Sequence, residues 1–527
     1  MAKSPQPEVV ELQPAELEQL LQELRGALSP GTYERIEALL RTLQWVLELL
    51  PQKSASLKRL RRMIFGDKTE KTRQVLPAAA ANASAPPART KPKGHGRQAA
   101  EDYPGAQHVQ VAHPLHRVGG LCPKCLKGKL YLLKVPARIV RLVARPIFQA
   151  TVFELERLRC ALCGALLSAP APPEAGLGKY DPSVGVMLSL LRYGAGLPMY
   201  RIGKWQTRFG VPLPASTQWE LIAAAAQVPE LIYQALLGFA AQGELLHNDD
   251  THMRVQSLRQ EGAQADRSTE RTGIFTTGIV ARVGSYRVAL FFTGQQHAGE
   301  NLQELLRHRD SQRSQPLQMC DGLSRNTPKQ FETLLANCLL HARRQFVEIV
   351  DDFPEQCRKV IESLREVYRF EAIAQEQQLS DAARLAFHQE HSQPVLDQLQ
   401  TWMREQIEQK KVEPNSGLGE AINYMLKRWV PLTRFLSVPG APLDNNLVER
   451  ALKMAILHRK NSLSYKTLNG ARVGDVHMSL IHTCELNRIN PFDYLMALQQ
   501  HAARVPKDPA RWLPWNFRQA IESAGSG

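Results

Sequence analysis

LLHNDDTHMRV, residues 245–255, carries an apolar run straight into two adjacent aspartates. The run reads as a buried strand, and a carboxylate at the end of such a strand is costly unless it meets solvent, a partner or a cation. Asp249 and Asp250 therefore mark either a turn, which aspartate favours, or the rim of a cation site. The stretch alone favours the turn. Acids elsewhere in the chain have to decide.

From residue 244 onward, ELLHND, TGIFTTGIVAR, YRVALFFTG and PLQMCDG are short β-like runs separated by turns. The helical patterns AGENLQELLRH and TPKQFETLLAN flank the fourth run. Three strands followed by helix, strand and helix predict an α/β domain with a mixed sheet. Its first part spans residues 241–350, a helical insertion 351–435, and its second part 436–505, with a helix starting near residue 444 in PLDNNLVERALKMAILHRKN. Residues 506–527 read as a tail. Asp249 closes the first strand, Asp321 closes the fourth, and Glu449 lies on the late helix. Three clustered carboxylates repel one another, and a divalent cation relieves them. Mg²⁺ prefers hard oxygen ligands and keeps waters that a phosphate can displace. Two such ions can activate a water or a 3′-hydroxyl and stabilise a leaving oxygen.

Upstream, residues 8–73 form a leucine-rich helical and basic region. Ile36, Leu43, Leu50, Leu57 and Ile64 recur at seven-residue spacing, with Leu39, Val46 and Leu60 between them, as in a coiled coil. Pro51 and Lys53 interrupt the seam. A homodimer or higher oligomer and an intramolecular helical hairpin both explain it, with a slight lean to self-association. KSASLKRLRRMIFGDKTEKTR, residues 53–73, carries Arg59, Arg61 and Arg62, which suit phosphate contact or a solvated helix face. The Ala/Pro-rich residues 74–98 are a linker.

Residues 99–175 contain CPKC at 122–125 and CALC at 160–163. Cys122, Cys125, Cys160 and Cys163 offer four thiolates, enough for a structural Zn²⁺ in a ribbon. The β-branched ARIVRLVARPIFQATVFELERLR between them reads as a hairpin. A redox role is the alternative, without a thioredoxin-like context. Residues 176–240 are helical. PMYRIGKWQTRFG stops at Gly210, and Ser216 can cap a second helix, STQWELIAAAA. A helix-turn-helix DNA reader would use Lys204, Arg208, Thr217 and Gln218, although any helical bundle contains such pairs.

The chain has 527 residues, which suggests two to four domains, and a net charge of +15, which favours a polyanionic partner. It shows no apolar run of bilayer-spanning length and no signal-peptide core, so a cytoplasmic, nucleoid-associated protein without a membrane partner is expected.

Taken in order, LRRMIFGDKTEK, GHGR, the paired CxxC motifs, LPMYRIGKWQTRFGV, NDDT, MCDG, CLLHARRQF, DNNLVERALK, HRKNSL and INPFDYL resemble the insertion sequence sixty-six family of bacterial transposases. The resemblance implies a multidomain α/β plus α protein with a ribonuclease-H-like core, in which the first and fourth strands lie side by side. It also implies a helical N-terminus, a zinc ribbon and a helix-turn-helix. Asp249, Asp321 and Glu449 match the family's acidic triad. The implied activity is Mg²⁺-dependent cleavage and strand transfer on double-stranded DNA, using two ions for which Mn²⁺ can substitute. Terminal inverted repeats, target DNA and accessory proteins of the same element are the implied partners. Asp250 replaces the family's usual glutamate, and Leu323 stands where an aromatic residue is usual.

Lesser candidates remain. Cys338 and His341 have a CxxH spacing, but a lone pair lacks two ligands and buried packing explains it better. Arg343 and Arg344 suit either phosphate contact or pairing with acids. Arg459 and Lys460 are better phosphate candidates. Asn445 and Asn446 most simply cap the helix of Glu449. His247 reads as a satisfied strand histidine. A catalytically inactive DNA-binding protein derived from a transposase, or a coiled-coil scaffold, are the alternative functions.

Overall fold

The structure, a computed structural model, describes residues 100–525 except 104, 135, 136, 143–146, 164, 177 and 259–272, with residue 75 and short runs within residues 21–40. Arg59, Arg61 and Arg62, most of the heptad seam and the linker apart from Val75 lie outside the described residues. The chain divides into two compact units. One comprises Ala78–Ala171 and Lys204–Pro212, the other Met1–Pro77, Pro172–Gly203 and Leu213–Gly527.

In the smaller unit, β1 (Arg157–Arg159) pairs antiparallel with β2 (Leu166–Ser168), and CALC forms the turn between them. The amide of Cys160 donates to Ala165 O at 2.9 Å. CPKC is a second tight turn, closed by Cys122 N to Gly128 O at 2.7 Å and Leu126 N to Cys122 O at 2.8 Å, with Leu126 at φ 55°. The hairpin expected between the two motifs is instead wrapped around the second. Ile139 and Leu142, within that β-branched stretch, are exposed at 97% and 78%. Alternation alone does not hold a strand that has no apolar surface to cover.

The larger unit begins with helices. Asp181 caps α1 (Pro182–Ser189) by accepting from the amide of Ser183. There follow α2 (Met199–Arg208), whose residues from Lys204 on belong to the smaller unit, α3 (Ala215–Ala225) and α4 (Gln227–Ala240). Gly210 after α2 takes φ +75°, a conformation glycine adopts without a Cβ clash. Ser216 does not cap α3. Pro214, extended at ψ 151°, holds that position, and Ser216 falls in the first turn.

The sheet comprises β3 (Leu245–His252), β4 (Phe275–Val283), β5 (Tyr286–Gly294), β6 (Leu317–Cys320) and β7 (Leu334–Asn337). Its order is β5-β4-β3-β6-β7. The first three strands are antiparallel neighbours, whereas β6 runs parallel to β3 and β7 parallel to β6. A helix, α5 (Ala298–Leu306), leads from β5 to β6. The expected helix TPKQFETLLAN is absent and its last residues are β7. Pro328 resists a helix interior, and the four-residue run LLAN carries no periodicity that separates a buried strand from a helix.

After β7 come α6 (Leu339–Glu348), α7 (Pro354–Glu376), α8 (Asp381–Glu408) and α9 (Gly417–Lys427). The carboxylate of Glu371 on α7 accepts from Arg384 Nε and from His388 Nε2 on α8, each at 2.8 Å, tying the two long helices together. The chain then returns to the sheet through α10 (Asn446–Ser462), α11 (Leu468–Leu486) and α12 (Pro491–Gln500).

An edge strand such as β5 would leave a row of backbone donors unpaired. Here α11 supplies the acceptors. The amides of Thr293, Phe291, Ala289 and Arg287 donate to Asp475 Oδ2, Ser479 Oγ, Thr483 Oγ1 and Asn487 Oδ1, the last on the residue capping α11. Every second strand residue meets every fourth helix residue because the two rises, about 6.8 and 6.0 Å, nearly match. Residues 506–525 are not a loose tail. Trp512, Leu513 and Phe517 are buried, Tyr494 donates to Trp512 O at 2.8 Å, and α13 (Phe517–Gly525) ends the fold.

Candidate active site

The site follows from strand register. In the parallel pair, Leu245, Leu246 and His247 face Leu317, Gln318 and Met319. Two residues further along the same register, Asp249 stands across from Asp321. Cys320 in turn faces Asn337, so the next position along that pair is Cys338. One row across the end of the sheet thus reads Asp249, Asp321, Cys338. Glu449 comes from above, in the first turn of α10.

The two adjacent aspartates have opposite environments. Successive strand residues point to opposite faces. Asp250 is buried against a partnered wall, accepting from His297 Nδ1 at 3.0 Å and Arg325 Nη2 at 3.3 Å. Asp249 accepts from the amide of Asp250 at 2.8 Å. Burial first, then the charges of Asp321, Asp250 and Glu449, push its carboxyl up to about 7. Asp321 Oδ1 accepts from Leu323 N at 3.1 Å and Asn326 Nδ2 at 2.6 Å, and Gly322 at φ +77° makes the turn that aims it. Asp249 therefore sits in a field of negative charge with few hydrogen bonds to offset it. Hard oxygen donors in that condition fit a divalent cation. The three carboxylates do not form a group with all ligand atoms within 4.8 Å of one another, although the charge of Glu449 is felt at Asp249.

Gly278 sets the height of α10 above the sheet. It is the register partner of Asp249, and a Cβ there would lie 3.0 Å from Leu452 Cγ and 3.2 Å from Val448 Cγ2. The missing side chain lets α10 lie close on β4. Asn445 fixes where the helix starts, though not by capping it. Its side chain bonds His247 Nδ1 at 3.0 Å and donates to Asn248 O at 3.1 Å, stitching the helix start to β3. His247 is a buried partner in this stitch, and burial lowers its pKa to about 4. At the far end of α10, Arg459 donates to Thr251 Oγ1 and to His252 O.

A family model described as "Transposase IS66 family" matches residues 178–473, more than half of the chain. The chain belongs to that family. It is 27% identical to the uncharacterized protein y4jD of Sinorhizobium fredii, covering 77% of this chain and 76% of that one. It is 26% identical to y4hP of the same organism, covering 69% and 67%. A shorter match to y4qI, also from Sinorhizobium fredii, is 33% identical over 35% of this chain and 34% of that one.

The transposase's other candidate residues fare unequally. Lys204 and Arg208 are exposed on α2, and Thr217 is half-buried on α3. Gln218 cannot read DNA in this arrangement. It is fully buried, and its amide donates to Met199 O and Leu213 O to set the turn before α3. α2 presents Tyr200 and Trp205, with Phe209 just after its end, exposed aromatics that sequence patterning did not single out. Arg343 is buried on the inner face of α6, which removes it from a phosphate-contacting surface, whereas Arg344 is half-buried and Lys460 exposed. Arg459 spends its guanidinium on the end of β3.

No three of Cys122, Cys125, Cys160 and Cys163 have their sulfurs within 4.8 Å of one another. In the CPKC turn, Gly128 N donates to Cys125 Sγ at 3.4 Å, and that bond with the neighbouring Cys122 lowers the Cys125 pKa. Among the described residues the tight group of metal-binding side chains is a different one: Cys338, His341 and Glu449. The CxxH pair that looked incomplete in sequence acquires its third member from α10. Among the described residues no single helix is long and apolar enough to cross a membrane.

Proposed function

We propose that the chain cleaves DNA at the ends of its mobile element and joins the resulting 3′-hydroxyls to target DNA, with Asp249, Asp321 and Glu449 holding the divalent ions. Family membership supplies the coarse activity, that of a transposase. The ribonuclease-H-like reading of the core is supported by the strand order, with three antiparallel strands and two further strands parallel to the first. The observation that carries the residue assignment is the contrast between neighbours. Asp250 is held by side-chain bonds from His297 and Arg325, while Asp249 is buried in the field of Asp321, Asp250 and Glu449.

Bound there, two Mg²⁺ ions, or Mn²⁺ in their place, would activate the attacking oxygen and stabilise the leaving one. Asp249 and Asp321 hold the ions between adjacent strands, and Asn326 and the amide of Leu323 keep Asp321 oriented. Glu449 completes the set from the first turn of α10. Lys204, Arg208, Thr217 and Lys460 are proposed DNA contacts, with Arg344 beside them. Zn²⁺ in the cysteine turns, self-association through the N-terminal heptads and accessory proteins from the same element complete the proposed assembly.

The test is cleavage of end DNA by the purified full chain in Mg²⁺. Asp249→Asn should abolish nicked and joined products while leaving DNA binding intact, and Asp250→Asn should retain measurable cleavage. Full activity in the Asp249 variant removes the assignment.

A further inference from the structure

Glu449 lies close to a softer pair of ligands, Cys338 and His341. Cys338 follows β7 at the start of α6, His341 lies one turn into α6, and Glu449 lies one turn into α10. Their ligand atoms all fall within 4.8 Å of one another. His341 Nδ1 and Glu449 Oε1 stand 3.9 Å apart, too far for a hydrogen bond. Both atoms are buried and neither has a hydrogen-bond partner. Two complementary polar atoms left facing each other across such a gap are expensive. A tetrahedral zinc bound to both would hold them about 3.4 Å apart, so roughly half an ångström of side-chain movement closes the site. The third member is already oriented, because Asn445 N donates to Cys338 Sγ at 3.3 Å.

We propose that Cys338, His341 and Glu449 bind one thiophilic divalent ion, of the Zn²⁺ or Co²⁺ class, at a site that shares Glu449 with the carboxylate pocket. A thiolate, an imidazole and one carboxylate oxygen select such an ion over Mg²⁺, with water in the fourth position. On binding, the Cys338 thiol releases its proton to solvent. The site differs from the cysteine turns, which share no ligand with it. It differs from the carboxylate pocket in ligand softness, although the shared residue means that an ion here withdraws Glu449 from Asp249 and Asp321. Asp321 and Cys338 each directly follow the last paired residues of β6 and β7, Cys320 and Asn337, so the two pockets adjoin at that end of the sheet. This ligand set stands on the geometry alone and does not depend on the DNA-cleaving reading.

The test loads the full chain with Co²⁺ and measures bound metal per chain, together with thiolate-to-cobalt charge-transfer absorption in the near ultraviolet. The wild-type chain should hold one more ion than Cys338→Ala, His341→Ala or Glu449→Gln, and the Cys338 variant should lose the matching part of the absorption. The Asp249→Asn, Asp321→Asn double variant should keep the Cys338-dependent absorption. The cysteine turns contribute equally to all of these proteins and cancel in the comparison. Using three separate ligand variants guards against one of them misfolding. Identical metal content and absorption in wild type and the ligand variants would overturn the proposal. Loss of the Cys338-dependent absorption in the aspartate double variant would overturn it too, because the ion would then depend on the carboxylate pocket and not on the thiolate site.

Discussion

Replacing Asp249 by asparagine should make the metal-free protein more stable even as it disables it. The carboxyl is pushed from 3.8 to about 7. Between those two values the folded state keeps a proton that the unfolded state has released, so stability falls as pH rises through this window and stays lowered above 7. About three units at 1.36 kcal/mol each give an upper bound of about 4 kcal/mol for the penalty of ionised Asp249 at pH 8. Partial solvent access reduces that to roughly 2–4 kcal/mol. Asparagine keeps the oxygen that accepts from the Asp250 amide and carries no charge. Thermal denaturation in chelator at pH 8 should therefore show Asp249→Asn melting several degrees above wild type, with the difference vanishing near pH 4. Added Mg²⁺ or Mn²⁺ should raise the melting temperature of wild type and leave the variant almost unmoved. A variant less stable than wild type at pH 8, or equally stabilised by Mg²⁺, would refute the reasoning.

Other perturbations follow from the same contacts. Gly278→Ala places a methyl group 3.0 Å from Leu452; it should cost about 1–3 kcal/mol and, by lifting the turn that carries Glu449, reduce cleavage, whereas wild-type melting and rate would show that α10 has room to spare. Ser479→Ala leaves the Phe291 amide without its acceptor, so chemical denaturation should report a loss of about 1–3 kcal/mol and hydrogen exchange should quicken at β5. His247, His458 and His477 are buried, with pKa values lowered to about 4, 3 and 4. Their contribution is present above the ordinary value near 6.5 and is lost as pH falls toward 4; His477→Gln should flatten that acid limb of the stability profile, and an unchanged limb would show that the ring is accessible to protons.

The α/β core was legible because its strands carry dense β-branched runs between clear turns, and because Asp321 follows directly on β6; Asp249 does not close its strand, since β3 runs on to His252 against β4. Register, which brings the two together, is not written in either stretch. It emerges from the parallel pairing of three residues on each strand. Strand β7 was misread because LLAN is too short to show a period. Gln218 and Arg343 looked available because polarity predicts exposure on average, but each lies on the inner face of its helix, where its hydrogen-bonding groups serve the fold. The closing segment was taken for a tail because Trp512, Leu513 and Phe517 are spread among prolines and turns with no regular period. Cys338 and His341 were visible as a pair. Their third partner lies more than a hundred residues away, beyond the helical insertion, and no local pattern announces it.

The central claim is that Asp249 and Asp321 hold a divalent ion to which Glu449 can turn. Anomalous diffraction from crystals of the full chain grown with Mn²⁺ tests it most directly. A manganese peak within bonding distance of both aspartate carboxylates, with Glu449 swung toward it, is the predicted result. A map in which the space between Asp249 and Asp321 stays empty at saturating Mn²⁺, or in which the ion binds Asp250 instead, would contradict it.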